Sequence, residues 1–262
     1  MKRIITLCLG ILFLLQFGCE ENNPGPHDWT KGLEMQIATD TYIPDTLKMI
    51  YREDATHLAL RDVHEDPGSK YSLVEIPPEL IELYYNGLLH LYNTNSMSAR
   101  DSVIEMYQIH NWSSRFNHEI MIGIGNRGPL WDAWSNGKTL TGYSRADEII
   151  NKYNLKLIDF ISFTSGGAAL LYSDIALNVI ALGSKFKLVQ GVTYAEPNGG
   201  IGESNGISGQ IHTKYIEYKF KLGWGDCPSG CINHHLWTFQ VNEKGETKFM
   251  GSSGDPIPNI SR

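Results

Sequence analysis

The chain has 262 residues, of which 42% are hydrophobic and 19% are charged, a composition typical of a globular protein and not of a disordered one. Its formal net charge is −7, and its basic residues form no cluster. Because phosphate backbones are bound through lysine and arginine, this charge pattern argues against a nucleic-acid partner.

Residues 1–18 have the order of a secretory signal. Two basic residues precede an apolar run from Ile4 to Phe17, and Gly18 then precedes Cys19 and an acidic, polar stretch. The alternative is a single N-terminal membrane helix. The apolar run is shorter than the roughly 20 residues that such a helix needs, so the pattern favours an export signal.

This leader resembles a bacterial lipoprotein signal peptide, in which the cysteine at the cleavage point is lipidated and becomes the mature N-terminus. The resemblance implies a lipid such as palmitate on Cys19 and attachment to a membrane of the cell envelope. One departure is Gln16, where the family prefers an aliphatic residue. Acidic residues directly after Cys19 resemble the surface-export signal of some Gram-negative lipoproteins. An outer-membrane lipoprotein facing either the periplasm or the surface is therefore expected.

After a flexible tether over residues 19–32, the pattern predicts a helical segment over residues 33–115. Asp45 or Thr46 is predicted to cap a first helix through about Arg61, and Pro77-Pro78-Glu79 opens a second. Ser98 is predicted to cap a third helix. Other predicted features are an inward side of the first helix, formed by Leu47, Ile50 and Leu58, and a solvated helix end, formed by His57, Asp62, His64, Glu65 and Asp66.

Residues 116–200 change to the alternating pattern of strands. The elements follow the order β-α-β-β-α-β, which is the ferredoxin-like arrangement. Ser144 and Asp174 are predicted to begin the two helices, with Ile175 buried in the second. The predicted strands are 120–124, 155–163, 168–172 and 188–195, with Gly166-Gly167 as the break between the second and third.

A glycine-rich link, 198–209, is followed by alternating apolar residues that predict an antiparallel β-meander over residues 207–251. Residues 252–262 are predicted to be a loosely packed tail. The complete prediction is an α+β protein with a helical N-terminal segment, a ferredoxin-like middle and a C-terminal β-meander.

The segment from Gln190 to Asn198, Gln-Gly-Val-Thr-Tyr-Ala-Glu-Pro-Asn, resembles the last strand of subtilisin-type protease propeptides. In that family a ferredoxin-like sheet packs on the protease, and the extension after it lies along the active-site cleft. The resemblance implies a stand-alone inhibitor-like or chaperone-like domain, because only about 64 residues follow and they hold no protease domain. The alternative is an edge strand that ends in a turn. The residues expected to border the binding segment are Tyr194, Glu196, Pro197 and Asn198.

Cys227 and Cys231 are the two cysteines that remain after Cys8 of the leader and the lipid site. A close pair in an exported chain predicts a disulfide. Free thiols and a zinc site with His234 or His235 are the alternatives, although neighbouring histidines on a strand point to opposite faces. The surrounding segment 223–232 resembles one found in an uncharacterised exported bacterial family, and this implies no activity.

No catalytic signature is present: the sequence lacks a His-Glu-x-x-His helix, a Walker loop and a Gly-x-Ser-x-Gly elbow. We therefore expect no catalytic residue, metal or cofactor. Trp131 and Trp134 stand in a polar loop, where they either bind a glycan or protein or fold back onto the core. The leading hypothesis is a lipid-anchored binding protein, and the alternatives are a glycan-binding lipoprotein and an unrecognised hydrolase or metal-dependent enzyme.

Overall fold

The structure is a computed structural model that describes residues 27–111, 115–199, 205–227 and 230–257. The predicted leader, the lipid site Cys19 and most of the tether lie outside the described residues. Within the described ranges, no helix is both long enough and apolar enough to cross a membrane.

The N-terminal segment is helical, as predicted. It consists of α1 (Asp45–Glu65), α2 (Pro78–Asn93) and α3 (Ser98–Asp101), and α3 continues into a π-helical turn. Helix α2 begins at Pro78, because proline fits the first turn of a helix, where its missing N–H has no partner to lose.

Helix α1 is exposed over its first turns and buried over most of its second half. Pro44 precedes it and provides no side-chain cap, so the predicted capping by Asp45 or Thr46 is wrong. Ile50, predicted to face inward, is exposed, whereas the polar residues Asp54 and Thr56 are buried. The periodicity of α1 misled the prediction because its buried positions are not confined to one apolar stripe.

Residues 115–199 have the ferredoxin-like topology. The four strands form an antiparallel sheet in the order β2-β3-β1-β4. The strands are β1 (Glu119–Gly125), β2 (Lys156–Phe163), β3 (Gly166–Tyr172) and β4 (Val192–Pro197), and the helices are α4 (Arg115–His118), α5 (Pro129–Trp134), α6 (Ser144–Lys152) and α7 (Val179–Phe186).

The second ferredoxin-like helix, α7, begins four residues later than predicted. Asn178 caps it by accepting a hydrogen bond from the Ala181 N–H at 3.1 Å. The predicted cap, Asp174, instead pairs with Lys156. Ile175 lies before the helix and is exposed, so its predicted burial is also wrong.

The C-terminal part is a four-stranded antiparallel meander in the order β5-β6-β7-β8. Its strands are β5 (Gly206–Ile211), β6 (Tyr215–Trp224), β7 (Asn233–Asn242) and β8 (Thr247–Gly254). Strand β5 begins within the last four residues of the predicted glycine-rich link, 206–209. Strand β8 extends to Gly254, and Asp255 accepts a hydrogen bond from the His234 N–H at 2.8 Å. The start of the predicted loose tail is therefore part of the sheet.

The helical segment and the meander share one hydrophobic core. Tyr84 of α2 and Tyr218 of β6 meet at its centre, where the Tyr218 hydroxyl donates to the Tyr84 carbonyl at 2.9 Å. The ferredoxin-like domain has a second core of its own. It is thus inserted in sequence between the two halves of the first core.

The two connections between the first core and the inserted domain lie close together. On the side of the first core, the Ile207 N–H donates to the Asn111 side-chain oxygen at 2.8 Å. On the side of the inserted domain, Asn198 donates to Glu119 through its main-chain N–H at 2.9 Å and through its side chain at 2.6 Å. At both points, a hydrogen bond therefore joins the chain just before the inserted domain to the chain just after it, or the first strand of that domain to the residue that follows its last strand.

We expect Asn111→Ala to lower the free energy of unfolding by about 1–3 kcal/mol, because the Ile207 N–H would lose its partner next to a buried side chain. Urea unfolding monitored by tryptophan fluorescence measures this loss. The matched control is Asn136→Ala, since the exposed Asn136 side chain bonds only locally to Asp132. Equal stability of the two variants would contradict a role for Asn111 in joining the linkers.

Candidate functional site

The ferredoxin-like sheet has one covered and one open face. Helices α6 and α7 contribute to the same buried core as Ile120 and Ile122 of β1, so these side chains define the covered face. Side chains alternate along a strand, and the other face therefore carries the intervening residues. We call this surface the open face; it consists of Glu119, Met121, Gly123, Lys156, Asp159, Ile161, Phe163, Ala168, Leu170, Tyr172, Tyr194 and Glu196.

The middle of the open face is apolar. Gly123 is paired with Ala168 on one side and with Tyr194 on the other. A Cβ atom on Gly123 would lie 2.0 Å from the Tyr194 ring, so the ring lies directly over this glycine. The Tyr194 ring therefore covers Gly123, and Ala168 beside it is buried as well.

The exposed apolar side chains of the open face lie on β2. Ile161 is paired with Ala168, and Phe163 with Gly166. Ile161 is 47% exposed and Phe163 is 54% exposed. Large apolar side chains that remain this exposed side by side are typical of a surface that binds another molecule.

The rim of the open face is acidic along β4. Glu196 is paired with Met121 and lies two residues along β4 from Tyr194. Glu119 lies at the end of the same face and accepts the hydrogen bond from the Asn198 side chain. A partner with an apolar surface and a nearby basic residue would complement this arrangement.

The four residues predicted from the propeptide resemblance separate into two pairs. Tyr194 and Glu196 lie on the open face. Pro197 is paired with Ile120 on the covered face, and the Asn198 side chain is bound to Glu119. Residues 200–204, in the stretch that follows Asn198, lie outside the described residues.

Trp131 and Trp134 both lie in helix α5, so the prediction that they stand in a loop is wrong. Trp134 is fully buried, and its indole N–H donates to the Thr139 carbonyl at 3.0 Å. This matches the alternative in which the ring covers the core and leaves it unavailable for a glycan. Trp131 is partly exposed and packs edge-on against Phe160, with ring centroids 5.3 Å apart.

Cys227 and Cys231 lie at disulfide distance, with Cα atoms 4.1 Å apart. They close the loop between β6 and β7, as the sequence predicts. His235 is bound through Nδ1 to the Asp255 carbonyl oxygen at 2.8 Å, at the end of β8. Among the described residues, no group of three or more histidines, cysteines or carboxylates is arranged to hold a metal ion.

A groove of about 400 Å³ separates the inserted domain from helices α1 and α2. Its lining is largely apolar and includes Ile81 of α2 and the exposed Ile175. His118 and Glu53 lie in it as an ion pair at 3.6 Å. Sequence reasoning missed this pair because the two residues are 65 positions apart and carry no shared motif.

The His118 ring is held so that protonation is favourable. Its Nδ1–H donates to the Ser173 carbonyl oxygen at 2.8 Å, which turns Nε2 towards Glu53. The Glu53 carboxylate raises the pKa of His118 above its usual 6.5, burial acts in the opposite direction, and the Ser173 carbonyl raises it further. The same ring stacks on Tyr172 of the open face at 5.8 Å.

A scan against protein-family models gave no match, and searches of curated proteins and of solved structures gave none either.

We expect the stability that His118 contributes to be lost as pH rises. A pKa raised in the folded state means that folding binds a proton, so the contribution is complete below the unfolded pKa of about 6.5 and disappears as pH rises through the folded pKa. Unfolding free energies of wild type and His118→Gln, measured from about pH 5.5 to about pH 8.5, should therefore converge with rising pH.

His64→Gln is the control with the opposite sign, because burial lowers the pKa of His64. Protonation of His64 disfavours the folded state, so this variant should gain stability relative to wild type as pH falls below about 6.5. A His118→Gln difference that does not change with pH would contradict the assigned ion pair.

Proposed function

We propose that this chain is an exported, lipid-anchored protein that binds a protein partner through the open face, with a serine protease as the leading candidate. The observation that carries this proposal is the exposed apolar surface that Ile161 and Phe163 form on the face that also carries the Tyr194 ring. Its exposed apolar side chains gain most when a partner removes them from water.

The propeptide resemblance supports a protease as the partner. In that family the ferredoxin-like sheet packs on the protease, and here the corresponding sheet has an open apolar face. The extension in the family follows the last strand; in this chain the stretch after β4 continues into β5. Its flanks are fixed, since Asn198 binds Glu119 and the Asn205 side chain accepts a hydrogen bond from the Gly223 N–H at 3.1 Å.

The leader pattern supports export and anchoring. Cys227 and Cys231 at disulfide distance agree with an oxidising compartment, where such bonds persist. Lipidation at Cys19 would place the domain next to a membrane, with the tether over residues 19–32 between them. A membrane is therefore a proposed partner through the lipid alone.

A panel of serine proteases that includes subtilisin-type enzymes tests the partner. We expect inhibition or a stable complex with at least one protease, and we expect Ile161→Asp to weaken it by about tenfold or more, because a charge would be buried at the centre of the contact. Inhibition constants and analytical gel filtration provide the two measurements.

Met49→Asp is the matched control, because Met49 is 70% exposed on α1 and lies away from the open face. It should leave inhibition unchanged. Neither inhibition nor complex formation with any protease at micromolar protein would overturn the protease version, and equal loss in both variants would overturn the assignment to the open face.

Cys19→Ser tests the anchor. In the native host, the variant should move from the membrane fraction to the soluble fraction and lose the lipid mass detected by intact mass spectrometry, since its thiol is the proposed attachment point. Cys8→Ser changes a cysteine of the leader, which cleavage would remove. This variant should therefore retain the lipid. Membrane association that survives Cys19→Ser would contradict the proposal.

A glycan is the second candidate ligand, favoured by the partly exposed ring of Trp131 beside Phe160. An aromatic ring of this kind can stack on a sugar, whereas the buried Trp134 cannot. A glycan array with wild type and Trp131→Ala tests this version. Binding that Trp131→Ala abolishes supports it, and an array without binding rejects it.

A further inference from the structure

Strand β5 is an edge strand of the meander, and its free edge faces helix α1. Strands β5 and β6 pair antiparallel from Gly206 to Ile211 without a shift in register. In such a pair, alternate residues direct their N–H and C=O groups towards the partner strand, and the residues between them direct theirs away.

Two observations identify which residues of β5 point away from β6. The Ile207 N–H donates to the Asn111 side chain, and the Ile211 carbonyl accepts from the Lys31 ammonium at 2.9 Å. The residues whose main-chain N–H and C=O groups point to the free edge are therefore Ile207, Gly209 and Ile211. Asn111 satisfies the first group of this edge and Lys31 the last.

Four main-chain groups remain between these two side chains. They are the Ile207 carbonyl, the N–H and the carbonyl of Gly209, and the Ile211 N–H, and none of them has a hydrogen-bond partner among the residues that the structure describes. Unpaired groups on a sheet edge are a template for another strand. The two occupied ends limit the template to the length of a short peptide.

A groove of about 370 Å³ runs along this edge, with Gly209 at its floor and α1 as its wall. The wall carries Arg61 and Glu65, which pair with each other at 2.8 Å, and Asp62. Lys31 and Arg61 together balance the charges of Asp62 and Glu65 on this side of the groove. An uncharged segment therefore fits the groove better than a strongly acidic or basic one.

We propose that this edge binds an extended, uncharged peptide segment of a partner protein as a fifth strand of the meander. In antiparallel pairing, the central residue of the peptide would exchange two hydrogen bonds with Gly209. The residues two positions away would bond to the Ile207 carbonyl and the Ile211 N–H. The central side chain would face α1, where a hydroxyl group can donate to Asp62.

This surface lies on the second sheet and is independent of the open face. Its partner is recognised mainly through main-chain groups, whereas the open face offers apolar side chains. The two proposals can therefore succeed or fail separately.

The test uses acetyl-Thr-Val-Ser-Val-Thr-amide as the probe and amide NMR of the ¹⁵N-labelled protein as the measurement. The expected result is a shift of the Gly209 and Ile211 amide signals and slower hydrogen exchange at both positions. The same peptide with a methyl group on the serine nitrogen cannot donate to the Gly209 carbonyl, and it should bind about tenfold more weakly.

Arg61→Trp fills the groove from the exposed side of α1 and should also weaken binding by about tenfold or more. Glu79→Trp places the same ring on an exposed position of α2 outside the groove, and it should bind the peptide as wild type does. Unchanged Gly209 exchange at millimolar peptide, or equal binding of the methylated peptide, would overturn the proposal.

Discussion

The structure depends on one non-local constraint, which is that helices α1 and α2 cannot bury their inward sides without the C-terminal meander. Tyr84 illustrates this dependence, because its ring packs against Gly209 and its carbonyl is bonded to Tyr218. Closing this core requires joining segments more than a hundred residues apart. The entropic cost of closure grows only slowly with loop length, and the inserted domain lowers it further by bringing its own ends together at Glu119 and Asn198.

The buried carboxylate of Asp54 lies at the point where the two halves of the first core meet. It accepts a hydrogen bond from the Asn111 N–H at 2.7 Å and contacts His110 at the same distance. Burial raises the pKa of Asp54, while His110 and the Asn111 N–H lower it. A buried polar group of this kind is costly unless every partner is in place, so this network favours one arrangement of α1, the linker and β5.

Local patterns predicted the elements better than their partners. Pro77-Pro78 marked the start of α2, and alternation in Ile120 and Ile122 marked β1, because these signals act within a few residues. The sharing of a core between α1 and β5 is a long-range contact that no local pattern encodes. The first part of β5 was assigned to a link because of its glycines, yet Gly209 is required there: a Cβ atom would lie 2.5 Å from the Tyr84 ring.

The candidate sites were only partly predictable, for a related reason. The sequence showed that β2 is mostly apolar. It did not show that Phe160 lies on the covered face and Ile161 on the open face, because both are large apolar residues in the same run. Only the sheet register shows that Ile161 has no helix over it. Likewise, nothing in the sequence favoured one tryptophan over the other as a ligand-binding residue. The structure shows that Trp134 is buried and that Trp131 is partly exposed.

The open face is connected to the first core through a short series of side chains. Tyr172 at its end stacks on His118, and His118 pairs with Glu53 of α1. The pair is strongest when His118 carries a proton, so the junction between the two cores is held most firmly at mildly acidic pH. The orientation in which the open face meets a partner is therefore set partly by α1, which belongs to the other core.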